Sequence, residues 1–105
     1  MTIIATRTIS TELGPMSVEM DAPVQLGADF ACVYRIRGPR TSKRGRGMGV
    51  DRFPALQLAM ERIGADLRAS PEFEADALEW LGMSEPGFPL PESIAHLGWA
   101  KPNGH

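Results

Sequence analysis

Apolar and polar residues alternate along much of the first half of the chain, and this pattern predicts β-strands. Residues 16–21 alternate strictly, and residues 30–37 place Phe, Cys, Tyr and Ile at every second position. Residues 3–10 are rich in isoleucine and threonine, which are β-branched and favour strands. Residues 47–50 are short and glycine-rich, and we interpret them as a further strand. Strands joined by short connections indicate an antiparallel meander.

The segments between these strands have the composition of loops. Gly14-Pro15 is a turn signal, and Pro23 ends or edges the second strand because proline cannot donate to a ladder. We interpret residues 25–28 as a connection and residues 38–46 as a polar loop.

A helix is predicted from Asp51, whose carboxylate can accept a hydrogen bond from the first turn. Pro54 fits that turn, where a missing N–H costs little. Apolar residues then recur at helical spacing up to Leu67, which predicts an amphipathic helix over residues 51–69. Gly64 falls on the buried face, so we expect the helix to approach the sheet closely there.

The last third of the chain leaves two interpretations open. Ser70 and Pro71 either end the helix or begin a second one, and residues 78–81 are then a strand or the end of that second helix. Residues 82–91 are irregular, residues 93–99 form one short helical turn, and residues 102–105 fray.

These elements predict an α+β fold, with an antiparallel sheet of four or five strands and one long amphipathic helix on one face. We expect a single domain over residues 1–105, with strands in 1–50, the helix in 51–69, and a final strand or short helix plus an irregular tail in 70–105. The predicted core includes Val18, Met20, Cys32, Tyr34, Ile36, Val50, Leu56, Met60, Ile63, Leu67 and Trp80.

Composition bears on the cellular location of the protein. The chain has 105 residues, a net charge of −2 and one cysteine, Cys32, so no intramolecular disulfide can form. We find no signal-peptide pattern and no apolar run long enough to span a bilayer. We therefore expect a cytoplasmic protein without a membrane association.

Five short motifs are spread over residues 3–91. They are Ile4-Ala5-Thr6-Arg7, Gly49-Val50-Asp51, the run 55–60 with Ile63-Gly64, Trp80-Leu81 and Gly87-Phe88-Pro89. Together they resemble an uncharacterised family of small bacterial proteins, catalogued only as a domain of unknown function. The resemblance implies a bacterial protein and a final strand at residues 78–81. It implies no activity, cofactor or catalytic residue.

No pattern for catalysis, a cofactor or a metal stands out. The two histidines are His96, which lies beside Ile94 and Leu97 and is expected to be a surface or packing residue, and His105, the last residue of the sequence. Cys32 is expected to be a buried, inert thiol. The acidic residues between 72 and 79 lack the spacing of a cation loop, so we expect a solvated acidic face. The alternating glycines at 45–49 superficially resemble an anion cradle. Asp51 would repel a phosphate there, and close packing is the simpler explanation.

Charge is distributed unevenly. Residues 35–46 hold six basic residues and no acid, so the rest of the chain has five basic and thirteen acidic residues. We expect an extended, mobile basic hairpin loop. It is a candidate polyanion-binding element, although it lacks aromatic residues on which bases could stack. The candidate residues are Arg35, Arg37, Arg40, Lys43, Arg44 and Arg46.

Leu58 is a candidate interface residue, because it lies on the side of the helix opposite Ile63. Either the apolar C-terminal tail or a second protomer could cover it, and we favour the tail. From these features we expect a non-enzymatic protein-interaction or regulatory module, acting as a homodimer or with an acidic protein partner. The alternative is weak, sequence-nonspecific nucleic-acid binding through the basic loop 35–46.

Overall fold

The structure is a computed structural model that describes residues 2–99. The predicted frayed end at residues 102–105, which includes His105, lies outside the described residues. Five strands precede two helices and a 3₁₀ turn. The strands are β1 (Ile3–Ile9), β2 (Met16–Asp21), β3 (Val24–Leu26), β4 (Asp29–Arg37) and β5 (Ser42–Gly49). The helices are α1 (Arg52–Arg68) and α2 (Pro71–Ala75), and the 3₁₀ turn is Ala95–Leu97.

All strand pairings are antiparallel, and the sheet runs from β1 through β2 and β4 to β5. The short strand β3 shares the β2 edge of β4. Met20 pairs with Tyr34 and Val24 with Ala31, so the register slips by one residue at Ala22-Pro23. Pro23 lies at this break, as expected for a residue that cannot donate to the ladder. The predicted α+β fold, an antiparallel sheet with one long helix, is confirmed.

Two of the predicted loops are wrong. Residues 24–26 form β3, so the connection predicted at 25–28 is reduced to a tight turn. The polar loop predicted at 38–46 is mostly strand, because β5 begins at Ser42 and pairs with β4 along its whole length. Only residues 38–41 connect the two strands. The basic residues therefore belong to a paired β-hairpin and not to a mobile loop.

Glycine allows β5 to lie directly under α1. A Cβ atom at Gly47 would lie 2.3 Å from the amide nitrogen of Ala59 and 2.5 Å from the carbonyl oxygen of Ala55. At Gly49 it would lie 2.5 Å from the amide nitrogen of Ala55. Ala55 and Ala59 are fully buried in the contact, so the two backbones meet with only small side chains between them.

Gly64 has a different neighbour from the one predicted. A Cβ atom there would lie 2.0 Å from the carbonyl oxygen of Pro89, so Gly64 makes room for the C-terminal tail and not for the sheet. The tail is fixed by Trp99, whose indole N–H donates to the Phe88 carbonyl at 3.2 Å. The Trp99 ring also meets the edge of Phe73 at 5.8 Å between centroids. The tail thus packs against α1 at Gly64, while its predicted cover over Leu58 stays a prediction.

Six of the eleven predicted core residues are buried, four are only partly buried (Met20, Leu56, Met60 and Trp80), and one is wrong. Val50 is 78% exposed, because it lies in the turn between β5 and the Asp51 cap of α1 and not in the sheet. Asp51 accepts a hydrogen bond from the Phe53 amide at 2.9 Å, as the sequence indicated. Four large apolar residues outside the predicted set are buried: Ile9, Met16, Phe73 and Leu78.

Residues 70–81 contain a short helix followed by an extended segment. Ser70 caps α2 by accepting from the Phe73 amide at 3.2 Å, and Pro71 is the first helical residue. The final strand implied by the family resemblance is reduced to isolated bridges. Glu79 exchanges two backbone hydrogen bonds with Ser10, at 2.8 and 2.9 Å.

The strand–helix contact makes Gly47 the least replaceable residue of β5. We expect Gly47→Ala to lower the free energy of unfolding by about 3 kcal/mol, because the new methyl group must push α1 away from the sheet. Ser42→Ala, at an exposed position of the same strand, is the control and should change stability by less than about 0.5 kcal/mol. Chemical denaturation measures both values. Equal stabilities of the two variants would contradict the contact.

Candidate functional site

One face of the sheet carries the helix and the other remains open. Cys32, Tyr34 and Ile36 of β4 are buried on the helix side. Because side chains alternate along a strand, the residues between them lie on the opposite face, together with their partners in the neighbouring strands. We call this surface the open face. Its side chains are those of Thr6, Thr8, Ser17, Glu19, Asp21, Val33, Arg35, Arg37, Ser42, Arg44 and Arg46.

Arg35 is held by acids at the centre of the open face. Its guanidinium donates to both oxygens of the Asp21 carboxylate, at 2.6 and 3.1 Å, and to Glu19 at 3.3 Å. Glu19 also pairs with Arg37 at 3.4 Å. These contacts follow from the register, since Glu19 lies directly opposite Arg35. A bidentate pair of this kind is both strong and directional.

The same contacts keep both partners of the central pair charged. The hydrogen bonds from Arg35 hold the pKa of Asp21 below its ordinary value, although burial of this carboxyl acts in the opposite direction. The Asp21 carboxylate in turn raises the pKa of Arg35. Arg35 is therefore committed to the sheet and contributes little free charge to a ligand.

Lys43 points to the other side of β5. Its ammonium group pairs with Asp66 of α1 at 3.1 Å, and Asp66 also accepts a hydrogen bond from the Tyr34 hydroxyl. Burial raises the pKa of Tyr34, and the Asp66 hydrogen bond adds to the effect. These contacts join α1 to the sheet, so Lys43 belongs to the helix–sheet junction and lies on the opposite side of β5 from Arg44.

The turn at residues 38–41 is anchored by a buried carboxylate. Glu72 of α2 is fully buried and accepts from the Arg40 amide at 2.8 Å and from the Thr41 hydroxyl at 2.6 Å. Burial alone would raise the pKa of Glu72, but these hydrogen bonds outweigh it and hold that pKa below the ordinary value. The solvated face predicted for this residue is wrong, because the turn supplies enough donors to bury the charge.

The structure thus divides the six basic residues into two groups. Arg35, Arg37 and Lys43 have acidic partners. Within residues 2–99, no salt bridge involves Arg40, Arg44 or Arg46. Arg44 and Arg46 are exposed, lie two positions apart on β5 and so project from the open face with roots about 7 Å apart. Arg40 lies at the turn.

The other residues singled out by the sequence lie away from this surface. Leu58 is half-buried and not exposed on α1, and its role as an interface residue stays a prediction. Cys32 is fully buried and donates to the Asp21 carbonyl at 3.4 Å, and burial raises the pKa of its thiol to about 11. His96 is exposed on the 3₁₀ turn.

A crevice of about 150 Å³ lies between β1, α1 and the tail, and its lining is mainly apolar. It is smaller than the roughly 300–1,000 Å³ of most small-molecule sites. The side chain of Arg7 lies at the rim of the crevice and already has partners within the protein. Its guanidinium lies 3.6 Å from the centre of the Trp80 ring and donates to the Pro86 carbonyl at 3.0 Å. The contact fixes the tail against β1.

The comparison with protein families identifies the chain as a member of one of them. Residues 5–90 match the model of a domain of unknown function, DUF6968, and the chain belongs to that family. This confirms the resemblance to an uncharacterised family. No curated protein and no solved structure matched the chain. Among residues 2–99, no helix has both the length and the apolarity needed to cross a membrane.

The buried Glu72 carboxylate makes the free energy of unfolding depend on pH. We expect Glu72→Gln to lower the free energy of unfolding at neutral pH by about 2 kcal/mol, because one strong acceptor of the turn is lost. Since the folded-state pKa is depressed, the wild-type advantage is present above the unfolded pKa of about 4.3 and disappears as the pH falls through the folded value.

Urea denaturation of both proteins over a series of acidic pH values measures this difference. Glu12→Gln, at an exposed position, is the control and should follow the wild type throughout. A constant gap between wild type and Glu72→Gln at every pH would show that the Glu72 charge does not hold the turn.

Proposed function

We propose that this chain is a non-enzymatic protein-interaction module whose open face binds an acidic segment of a partner protein. The observation that carries the proposal is the pair of exposed arginines on β5, Arg44 and Arg46, which form no salt bridge within residues 2–99. An extended acidic segment presents side chains at the same period of two along one face, so alternate carboxylates can meet both guanidinium groups.

The charge balance of the open face favours a short acidic segment, and not a long polyanion, as its ligand. Two acids, Glu19 and Asp21, neutralise much of the charge of Arg35 and Arg37. The remaining excess is small, whereas tight nucleic-acid binding depends on many phosphate contacts. The open face also carries no aromatic residue for base stacking. Nucleic-acid binding through residues 35–46 is therefore the competing outcome of the test.

We further propose a cellular location and a regulatory role for the protein. We place the protein in the bacterial cytoplasm, where the single thiol of Cys32 would stay reduced. A small module that recognises a charged segment suits a regulatory role, in which association depends on the charge state of the partner.

The test is fluorescence polarisation with three labelled probes: an acidic peptide rich in Asp and Glu, a single-stranded oligonucleotide and a double-stranded one. Wild-type protein is compared with the double variant Arg44→Ser/Arg46→Ser at low and physiological salt. We expect the peptide to bind the wild type, and the variant to lose about tenfold in affinity, the sum of two exposed ion pairs.

A charge-matched control removes two arginines from elsewhere on the surface. The double variant Arg52→Ser/Arg62→Ser lowers the net charge by the same amount but leaves the open face intact. It should bind the peptide as the wild type does. Equal losses in both double variants, or tighter binding of either oligonucleotide than of the peptide, would overturn the proposal.

A further inference from the structure

The open face continues into an apolar surface beyond its arginines. Met48 follows Arg46 in the outward row of β5 and lies directly opposite Ala31 of β4. Ala31 in turn lies opposite Val24 of β3, and Val33, the next outward residue of β4, lies opposite Arg46. We call the four residues Val24, Ala31, Val33 and Met48 the apolar end of the open face.

The apolar end is separate from the core of the protein. Side chains alternate along a strand, and Gly47 and Cys32, the neighbours of Met48 and Ala31, face the helix side. Within residues 2–99, none of the four residues belongs to the buried cluster around α1. Val24 is nevertheless 50% exposed and Met48 half-buried, so this apolar surface is accessible on the side of the sheet away from the helix.

A hollow of about 280 Å³ opens beside the apolar end. It is lined by Thr2, Asp21, Ala22, Val24 and Val33. The carboxylate of Asp21 is already bound by Arg35, so the hollow offers a further ligand mainly apolar surface. A side chain that lies over Ala31 is one strand spacing, about 4.8 Å, from Val24 and from Met48.

We infer that the acidic segment proposed above carries an apolar side chain two residues beyond one of its acids, and that this side chain docks on the apolar end. The inference rests on the proposed function, because the two arginines set the register of the segment. Alternate side chains of an extended segment lie about 7 Å apart, as do Arg44, Arg46 and Met48 along β5. Carboxylates opposite the two arginines therefore bring the next inward side chain over Met48 and Ala31.

The polarity of the row fixes where the apolar residue lies relative to the acids. On the other side of Arg44 the outward row ends at Ser42, which lies opposite the exposed Arg37. An apolar side chain would find no apolar surface there. At the apolar end it would also exclude water from the ion pair at Arg46, and a lower local dielectric strengthens that pair. Exposed ion pairs alone bind weakly, so the apolar contact adds both affinity and specificity.

Short labelled peptides with blocked ends test the order of the segment. Asp-Ser-Asp-Ser-Leu and its reverse, Leu-Ser-Asp-Ser-Asp, place leucine two residues beyond an acid, one for each direction along β5. In the controls, Asp-Ser-Asp-Leu-Ser and Ser-Leu-Asp-Ser-Asp, leucine moves by one residue and points away from the sheet. Each peptide and its control are therefore equal in composition and charge. Fluorescence polarisation measures their affinities.

We expect one of the two leucine peptides to bind the wild type about tenfold more tightly than its control, which corresponds to burial of about half of a leucine side chain. Met48→Ser should bind that peptide and its control alike, whereas Met48→Leu should retain the difference. Phe53→Ser is the matched control, because it removes an apolar residue that is 83% exposed on α1, and it should also retain the difference. Circular dichroism verifies that each variant is folded. If Met48→Ser does not fold, Val24→Ser, at an exposed position of β3, takes its place.

A failure of this inference and a failure of the proposed function give different results. If the control peptides bind but leucine adds nothing in either order, or if the difference survives in Met48→Ser, the inference is overturned and the acidic-segment proposal stands. If none of the peptides binds, or if Arg44→Ser/Arg46→Ser binds them as the wild type does, the acidic-segment proposal fails and this inference fails with it.

Discussion

The contact between the glycine side of β5 and the backbone of α1 determines most of the structure. Gly47 and Gly49 leave no room for a side chain under the helix, so α1 packs directly on the strand. Because side chains alternate along a strand, the even-numbered residues of β5 must project from the face opposite these glycines. The constraint that brings the helix onto the sheet therefore also places Arg44 and Arg46 on the open face at a fixed spacing.

Buried acids hold the rest of the basic segment in place. Glu72 fixes the turn through the Arg40 amide, and Asp21 fixes Arg35 through a bidentate pair. Each acid is almost completely buried and fully hydrogen-bonded, which is the condition under which a buried charge is tolerated. Half of the basic residues in 35–46 form structural ion pairs, and the remainder, Arg40, Arg44 and Arg46, is exposed without a salt bridge within residues 2–99. That remainder, and not the whole set of six residues, is the candidate binding surface.

The sequence predicts the elements whose apolar residues keep a regular period. Strand β4 alternates clearly, and α1 has both a cap at Asp51 and a helical apolar stripe. The end of β5 was predicted as a strand over residues 47–50, but its first part, residues 42–46, was missed. The helix-facing positions there are Lys43 and Gly45 and the outward ones are serine and arginine, so no apolar alternation marks them. The burial of Glu72 was missed because its donors lie more than thirty residues away. Long-range hydrogen bonds of this kind have no local sequence signal.

The candidate binding surface depends on residues 42–46 forming an ordered, paired strand that holds its arginines in a fixed array. Backbone ¹⁵N relaxation tests it most directly, because a mobile loop and a paired strand differ clearly in order parameter. We predict order parameters for residues 42–46 equal to those of β4, near the value of about 0.85 for rigid backbone. Values below about 0.6 over these residues would show that the basic segment is a flexible loop, and would contradict the account.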